Sequence, residues 1–227
     1  MIPWRPGPER LGTVPNNKVA CPVPEALSVP ETAALPSSVC VFCGARFGAD
    51  PAYRQLASNL GELLARQGIT LVYGGGGVGL MGVMANAALA AGGNVVGVIP
   101  RFLLKREAGH PELTEALIVE NMHERKLEMF ERSEAIVVLP GGIGTLEEFF
   151  EVLSWRTLGL HTKPIVIVDQ GGYWKPLASL LRSCVEGGFA DRAHLDLVAF
   201  IDDLDRLLPT LAAMPRATPA EKALDRL

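Results

Sequence analysis

The stretch ITLVYGGGGVGLMGVMANAALAAGGNVVGVIP, residues 69–100, contains no charged side chain and decides the fold. Its length and hydrophobicity resemble a membrane span, but it holds nine glycines and two asparagines, bunched where they would break a helix. An apolar strand, a glycine loop, a helix and a second apolar strand account for the stretch better. It therefore predicts a strand–loop–helix–strand unit of an α/β protein.

The same alternation of short apolar runs and helical stretches continues along the chain from Ser38. Several of the runs are continuously apolar, which is typical of parallel strands that are covered on both faces. The predicted strands are 39–43, 70–73, 94–99, 116–120, 135–139, 164–168 and 197–201, and the predicted helices are 51–66, 80–91, 122–132, 145–157, 173–186 and 204–211. This order predicts a Rossmann-like, doubly wound parallel sheet of about seven strands with helices on both faces.

Length and composition suit one folded domain with tails. The chain has 227 residues, of which 48% are hydrophobic, enough for a sizeable core. Residues 1–36 are rich in proline and polar groups and lack periodicity, which predicts a flexible N-terminal tail. We assign residues 37–213 to the folded domain and residues 214–227 to a C-terminal tail.

The net charge and the cysteines limit which partners and functions the chain can have. The net charge of −4 is spread without a large block of one sign, which disfavours nucleic acid and membrane partners and leaves small anionic ligands open. The early charges are not followed by an apolar segment, so we expect no secretory signal and a cytoplasmic protein. Cys40 and Cys43 form a C-x-x-C, but residues three apart on a strand point to opposite faces. We therefore expect a structural role for both cysteines, no metal and no cofactor.

The first glycine loop spans residues 74–82 and contains a literal G-x-G-x-x-G. A dinucleotide site also needs an acidic residue at the end of the next strand, and no acidic residue appears there before Glu107. NAD binding is therefore disfavoured. Two interpretations stay open: a tight turn without ligand contact, or close approach of a ligand at Gly75 and Gly76, which four consecutive glycines favour.

A second glycine loop, PGGIGTLEE at residues 140–148, follows the predicted strand 135–139. Its glycines allow a ligand to approach the backbone, and Thr145 can cap the helix that follows and offer a hydroxyl group. The N-terminus of that helix presents N–H groups and the positive end of its dipole, which makes a phosphate site. Because no Gly-Lys-Ser/Thr follows, a monophosphate fits the loop better than a triphosphate.

Carboxylates end the second loop at Glu147 and Glu148, and another follows at Glu151. The helix dipole alone explains acidic residues in a first turn. A carboxylate beside a phosphate loop nevertheless repels the ligand, unless it faces the sugar instead. Glu148 lies three residues beyond Thr145 and so shares its helix face, which would place Glu148 beside a ribose.

Basic residues lie in NMHERK, residues 121–126, which follows the predicted strand 116–120 and opens a helix. Arg125 and Lys126 are near the N-terminus of this helix, where the dipole does not favour cations. The planar fork of an arginine can bind a phosphate or polarise a base nitrogen. A solvated pair on the helix surface remains the alternative for both residues.

Together these motifs resemble one family. Residues 140–148 match P-G-G-x-G-T-x-x-E and residues 122–126 match M-H-x-R-K, and the first glycine loop and Phe42-Cys43-Gly44 add to the pattern. The chain resembles, over residues 38–211, the LOG (Lonely Guy) family of cytokinin riboside 5′-monophosphate phosphoribohydrolases, once labelled "possible lysine decarboxylase". It departs from the family at Cys43-Gly44-Ala45-Arg46, where relatives usually have Cys-Gly-Ser-Ser.

The resemblance implies a Rossmann-like homodimer that hydrolyses the N-glycosidic bond of N6-substituted AMP, or of AMP itself, to free base and ribose 5-phosphate. Arg125 and Glu148 would be the catalytic pair. The substrate-binding residues would be Gly75, Gly76, Glu107, Arg125, Lys126, Gly141, Gly142, Ile143, Gly144, Thr145, Leu146 and Glu147. Two alternatives are a nucleotide carrier without turnover and a pyridoxal-phosphate lysine decarboxylase, for which Lys126 is the candidate Schiff-base lysine.

Overall fold

The computed structural model describes residues 34–104 and 109–214. The tails predicted for residues 1–36 and 214–227 lie almost wholly outside the described residues, as does Glu107. The proposed division into tails and domain therefore stays a prediction.

Within the described part of the chain, seven strands form one parallel sheet in the order β4-β3-β2-β1-β5-β6-β7. The strands are β1 (Ser38–Phe42), β2 (Thr70–Tyr73), β3 (Val95–Pro100), β4 (Glu115–Val119), β5 (Ala135–Val138), β6 (Ile165–Val168) and β7 (Ala199–Ile201). Every residue of β3, β5 and β6 is buried, as expected for apolar strands covered on both faces. The predicted doubly wound α/β fold is confirmed.

The helices are α1 (Ala52–Arg66), α2 (Gly79–Ala90), α3 (Met122–Glu131), α4 (Ile143–Thr157), α5 (Lys175–Glu186) and α6 (Leu207–Ala213). Three of them begin two or more residues away from their predicted starts. Helix α4 begins at Ile143, before the predicted start at 145, because Gly142 already supplies the extended cap. Helices α5 and α6 begin after the predicted starts at 173 and 204, because a 3-10 turn precedes each of them.

The core consists of two apolar clusters, one on each face of the sheet. One cluster joins the sheet to α1, α2 and α6, and the other joins it to α3, α4 and α5. Cys43 belongs to the first cluster and Cys40 to the second, which confirms that the two thiols lie on opposite faces. Among residues 34–104 and 109–214, no group of His, Cys, Asp and Glu could hold a metal ion.

The strand order places the topological switch point between β1 and β5. From β1 the chain winds outward through β2, β3 and β4, and then returns to β5 and winds the other way. In such sheets the ligand crevice lies beyond the carboxyl ends of the strands at this point. The described ranges hold no helix that is both long and apolar enough to cross a membrane.

Candidate functional site

The loop after β5 is joined to the end of β1. Leu139 donates its backbone N–H to the carbonyl of Phe42, and Gly44 donates to the carbonyl of Pro140, each at 3.0 Å. These bonds extend the β1–β5 pairing past the strand ends. They hold the Pro140–Gly141 turn directly over the switch point.

Thr145 does not cap α4, contrary to the sequence prediction. Gly142 occupies the cap position, and Thr145 is the third helical residue, only 3% exposed. A Cβ at Gly141 would overlap Oγ1 of Thr145 and lie 2.7 Å from its Cβ. Glycine is therefore required at 141 so that the threonine can pack under the turn.

The first turn of α4 is open on its outer side. Gly142, Ile143 and Gly144 are exposed. Among the described residues, apart from chain neighbours and the helix's own backbone, no heavy atom lies within 4 Å of where a Cβ would stand at Gly142 or Gly144. The first N–H groups of a helix lack intrahelical acceptors and carry the positive end of its dipole. The structure thus leaves room for an anion at this N-terminus.

Arg125 is buried, with 5% of its surface exposed, in the first turns of α3. Its Nη2 donates to the carbonyl oxygen of Gly74 at 2.9 Å, and its Nη1 lies 3.8 Å from Sδ of Met122. Asn121 caps the helix by accepting from the N–H of Glu124 at 2.9 Å, which fixes where α3 begins. The interpretation of Arg125 as a solvated surface residue is therefore wrong.

The first glycine loop packs against protein on several sides. Gly75 accepts from the N–H of His110 at 3.0 Å, and Gly76 bridges to Gly109. A Cβ at Gly74 would overlap the guanidinium of Arg125, so this glycine makes room for the arginine. Gly75 and Gly76 are buried, and their predicted contact with substrate stays a prediction.

Lys126 joins α3 to α4. Its Nζ lies 2.6 Å from a carboxylate oxygen of Glu147 and 2.9 Å from one of Glu151, and the lysine side chain is only 13% exposed. Burial opposes its charge, but the hydrogen bonds and charges of the two glutamates prevail and raise the pKa of Lys126. Lys126 and Glu147 were both predicted to contact substrate, and in the structure they form an ion pair with each other.

The charges of Glu148 and Arg125 both affect the pKa of one buried thiol, that of Cys43. Burial raises the pKa of the Cys43 thiol, the carboxylate of Glu148 raises it further, and the guanidinium of Arg125 lowers it. Glu148 itself is half-buried on α4. The charges of both predicted catalytic side chains therefore reach the thiol at the end of β1.

Sequence reasoning missed Tyr173, whose hydroxyl donates to the carbonyl oxygen of Gly141 at 2.5 Å. The tyrosine lies in Gly171-Gly172-Tyr173-Trp174, shortly after β6. Because β6 pairs with β5, the segments that follow these strands are neighbours at one edge of the sheet. An aromatic residue after the adjacent strand was the signal that could have found it.

The fold and this arrangement define a class: Rossmann-type α/β proteins with an open helix N-terminus, a buried guanidinium and a half-buried carboxylate near the switch point. A family model described as "Possible lysine decarboxylase" matches residues 81–211. A cytokinin riboside 5′-monophosphate phosphoribohydrolase of Rhodococcoides fascians is 46% identical over 185 residues, which cover 81% of this chain and 93% of the relative. A relative of the same name from Arabidopsis thaliana is 43% identical over 70% of this chain and 73% of its own length. The chain belongs to this LOG family.

Solved structures support the same architecture. The Moco carrier protein of Chlamydomonas reinhardtii superposes with a TM-score of 0.60 at 20% identity, over 78% of this chain and 96% of that chain. A molybdenum cofactor binding protein from Rippkaea orientalis superposes with a TM-score of 0.57 at 21% identity, over 76% and 93% of the two chains. At this level of identity the similarity concerns the fold alone.

Proposed function

We propose that the protein hydrolyses the N-glycosidic bond of adenosine 5′-monophosphate, plain or N6-substituted, to release the free base and ribose 5-phosphate. The observation that carries the proposal is that Glu148 follows the open first turn of α4, and that its charge and the charge of the buried Arg125 both reach the Cys43 thiol at the end of β1. Relatives named phosphoribohydrolases at 43% and 46% identity support it.

In this proposal the substrate phosphate lies over Gly142, Ile143 and Gly144, where the helix dipole and the first N–H groups favour an anion. The ribose then extends along the helix face that carries Thr145 and Glu148. The bond between C1′ and the base nitrogen breaks through an oxocarbenium-like sugar cation.

Glu148 stabilises that cation and orients or deprotonates the attacking water, whose oxygen becomes bonded to C1′. The base leaves with the bonding electrons and takes up a proton. Arg125 stabilises the negative charge that develops on the departing base or is carried by the phosphate. Its burial in the first turns of α3 strengthens this effect, because water screens it little.

The ion pairs of Lys126 explain how an anion can bind beside three glutamates. Lys126 compensates negative charge at Glu147 and Glu151, and so reduces the repulsion that these carboxylates would exert on a phosphate. Glu148 can then act on the sugar without its neighbours displacing the ligand. The contact of Lys126 with two carboxylates also argues against a Schiff-base lysine, and hence against lysine decarboxylase chemistry at this residue.

We also propose a homodimer and retain the cytoplasmic location expected from the sequence. Most of the apolar surface of α4 belongs to the core of the protomer, since Phe149, Val152 and Leu153 are buried. Apolar area for a second copy remains at or beside this helix, on the exposed residues Ile143 (82%), Phe150 (37%) and Leu158 (71%). Sedimentation equilibrium of the full chain tests the dimer, which a monomer at micromolar concentration would exclude.

The test of the function is to incubate the protein with AMP and to measure adenine and ribose 5-phosphate by chromatography. We expect the two products in equal amounts. Glu148→Gln keeps the size of the side chain and removes its charge, so it should abolish turnover while AMP still binds in calorimetry. A fully active Glu148→Gln enzyme would contradict the catalytic assignment, and AMP binding without turnover by the wild type would favour the carrier alternative.

A further inference from the structure

We propose that Tyr173 is a positioning residue: its hydroxyl fixes the Gly141–Gly142 peptide so that the N–H of Gly142 faces the ligand. This inference rests on the proposed function, because it takes the substrate phosphate to lie over the first turn of α4. The juxtaposition that carries it is the 2.5 Å hydrogen bond from the hydroxyl of Tyr173 to the carbonyl oxygen of Gly141.

Tyr173 stands on a well-anchored segment. Asp169, directly after β6, accepts from the N–H of Trp174 at 2.5 Å through its side chain and from the N–H of Gly172 at 3.0 Å through its carbonyl. Its own N–H donates to the carbonyl of Ile201 at 2.7 Å, and the side chain of Trp174 is buried. The backbone on both sides of Tyr173 is thus tied to the end of the sheet.

The tyrosine ring is also held from the side. It makes edge-to-face contacts with Tyr53, at 5.4 Å between ring centroids, and with Trp174, at 4.7 Å. Such contacts between aromatic rings favour one orientation. The backbone bonds and ring contacts therefore fix the position of the Tyr173 hydroxyl, which reaches the loop from the segment after β6.

Peptide geometry explains why the Gly141–Gly142 peptide needs to be held in one orientation. In a planar trans peptide the carbonyl and the N–H point in opposite directions, so a carbonyl of Gly141 directed at Tyr173 turns the N–H of Gly142 to the other side of the loop. Glycines flank this peptide on both sides, and glycine restricts backbone rotation least. A rotated peptide would direct its carbonyl oxygen at the phosphate and repel it. The hydrogen bond from Tyr173 favours the peptide orientation in which the N–H of Gly142 can donate to the phosphate.

Tyr173→Phe tests the inference because it removes the hydroxyl and keeps the ring that contacts Tyr53 and Trp174. We expect the KM for AMP and the inhibition constant of ribose 5-phosphate to rise by about five- to tenfold, the value of one hydrogen bond. The inhibition constant of adenine, which lacks the phosphate, should not change, and kcat should change less than KM. Tyr53→Phe is the matched control: it removes a hydroxyl from the neighbouring ring and should leave all these constants as in the wild type.

Wild-type constants for Tyr173→Phe would overturn the inference. So would an equal weakening of adenine and ribose 5-phosphate binding, because that pattern indicates a general structural role. If the wild type releases no adenine from AMP, the proposed function fails, but calorimetry with ribose 5-phosphate still compares Tyr173→Phe with Tyr53→Phe. Equal affinity of the two variants for ribose 5-phosphate would then refute the positioning role by itself.

Discussion

The guanidinium of Arg125 donates to the carbonyl oxygen of Gly74 at 2.9 Å, and so links the first turns of α3 to the loop after β2. The bond connects two motifs that are 51 positions apart in the sequence. It gives the first glycine loop a role that does not require a nucleotide: the loop admits and orients the buried arginine. The same two residues allow a direct test of how far activity depends on that orientation.

Gly74→Ala should displace Arg125, because the added Cβ would overlap its guanidinium. Overpacking of this kind costs roughly 1–3 kcal/mol of stability. We expect kcat/KM for AMP to fall by about tenfold or more per folded molecule, since small misplacements of catalytic groups are costly.

Gly61→Ala is the control for crowding alone. A Cβ at Gly61 would collide with the backbone of Met84 in α2, on the face of the sheet opposite α3. This variant should lower the melting temperature but keep kcat/KM per folded molecule. Equal kinetic losses in the two variants would show that Gly74 matters only for packing.

Gly144→Ala should weaken the binding of AMP without lowering the stability of the protein. Alanine favours a helix over glycine by roughly 0.5–1 kcal/mol, and the new Cβ meets no atom of the described chain within 4 Å apart from its neighbours and the helix backbone. The melting temperature should therefore stay the same or rise slightly, while the KM for AMP rises because the methyl group enters the space assigned to the phosphate. Gly141→Ala is the contrast, since it should lose both stability and affinity through its clash with Thr145. An unchanged KM in Gly144→Ala would move the phosphate away from this turn.

The sequence predicted the strands well because the continuous apolar runs, bounded by glycine and charge, are too short to form buried helices. Residues 70–73 are a strand as predicted, and β5 and β6 differ from their predicted ranges by one residue at one end. The start of α4 was less predictable, because Gly142 has no side chain to signal a cap whereas Thr145 is a residue typical of one.

The candidate site was predicted in its components but not in its contacts. The motifs identified Arg125, Lys126 and Glu148, because an arginine, a lysine and a glutamate at strand ends are visible in the sequence. That Arg125 is buried against Gly74, while Lys126 pairs with Glu147 and Glu151, depends on how α3 and α4 pack across the sheet. No local pattern encodes those distances.

Lys126→Met should weaken both the fold and the binding of AMP. It removes a charged hydrogen-bond donor to two carboxylates and leaves them without this partner beside the anion site. Hydrogen bonds to charged groups contribute roughly 1.5–3 kcal/mol, so we expect a measurable loss in urea denaturation. The KM for AMP should rise most at low salt, where repulsion by Glu147 and Glu151 is least screened.

The ion pair between Arg66 and Glu62 on α1 provides the control for Lys126. Its side chains are 71% and 41% exposed, and exposed pairs contribute little. Arg66→Met should leave stability and KM nearly unchanged. If Lys126→Met behaves like Arg66→Met, Lys126 does not organise the site.

His161 should make the protein sensitive to acid. Burial lowers the pKa of its imidazole to about 4 in the folded state; the hydrogen bond to the carbonyl of Val152 opposes this shift, and the charges of Arg156 and Lys163 reinforce it. In the unfolded chain a histidine titrates near pH 6.5, so between about pH 6.5 and pH 4 the unfolded state binds more protons than the folded state. Stability therefore falls as the pH decreases through this window, by on the order of 2–3 kcal/mol in total.

Urea denaturation at intervals between about pH 7 and pH 4 measures how steeply the free energy of unfolding depends on pH across the window in which His161 titrates. His161→Gln cannot take up the proton and should show a smaller slope than the wild type. An identical slope in the wild type and in His161→Gln would remove His161 as the source of acid sensitivity.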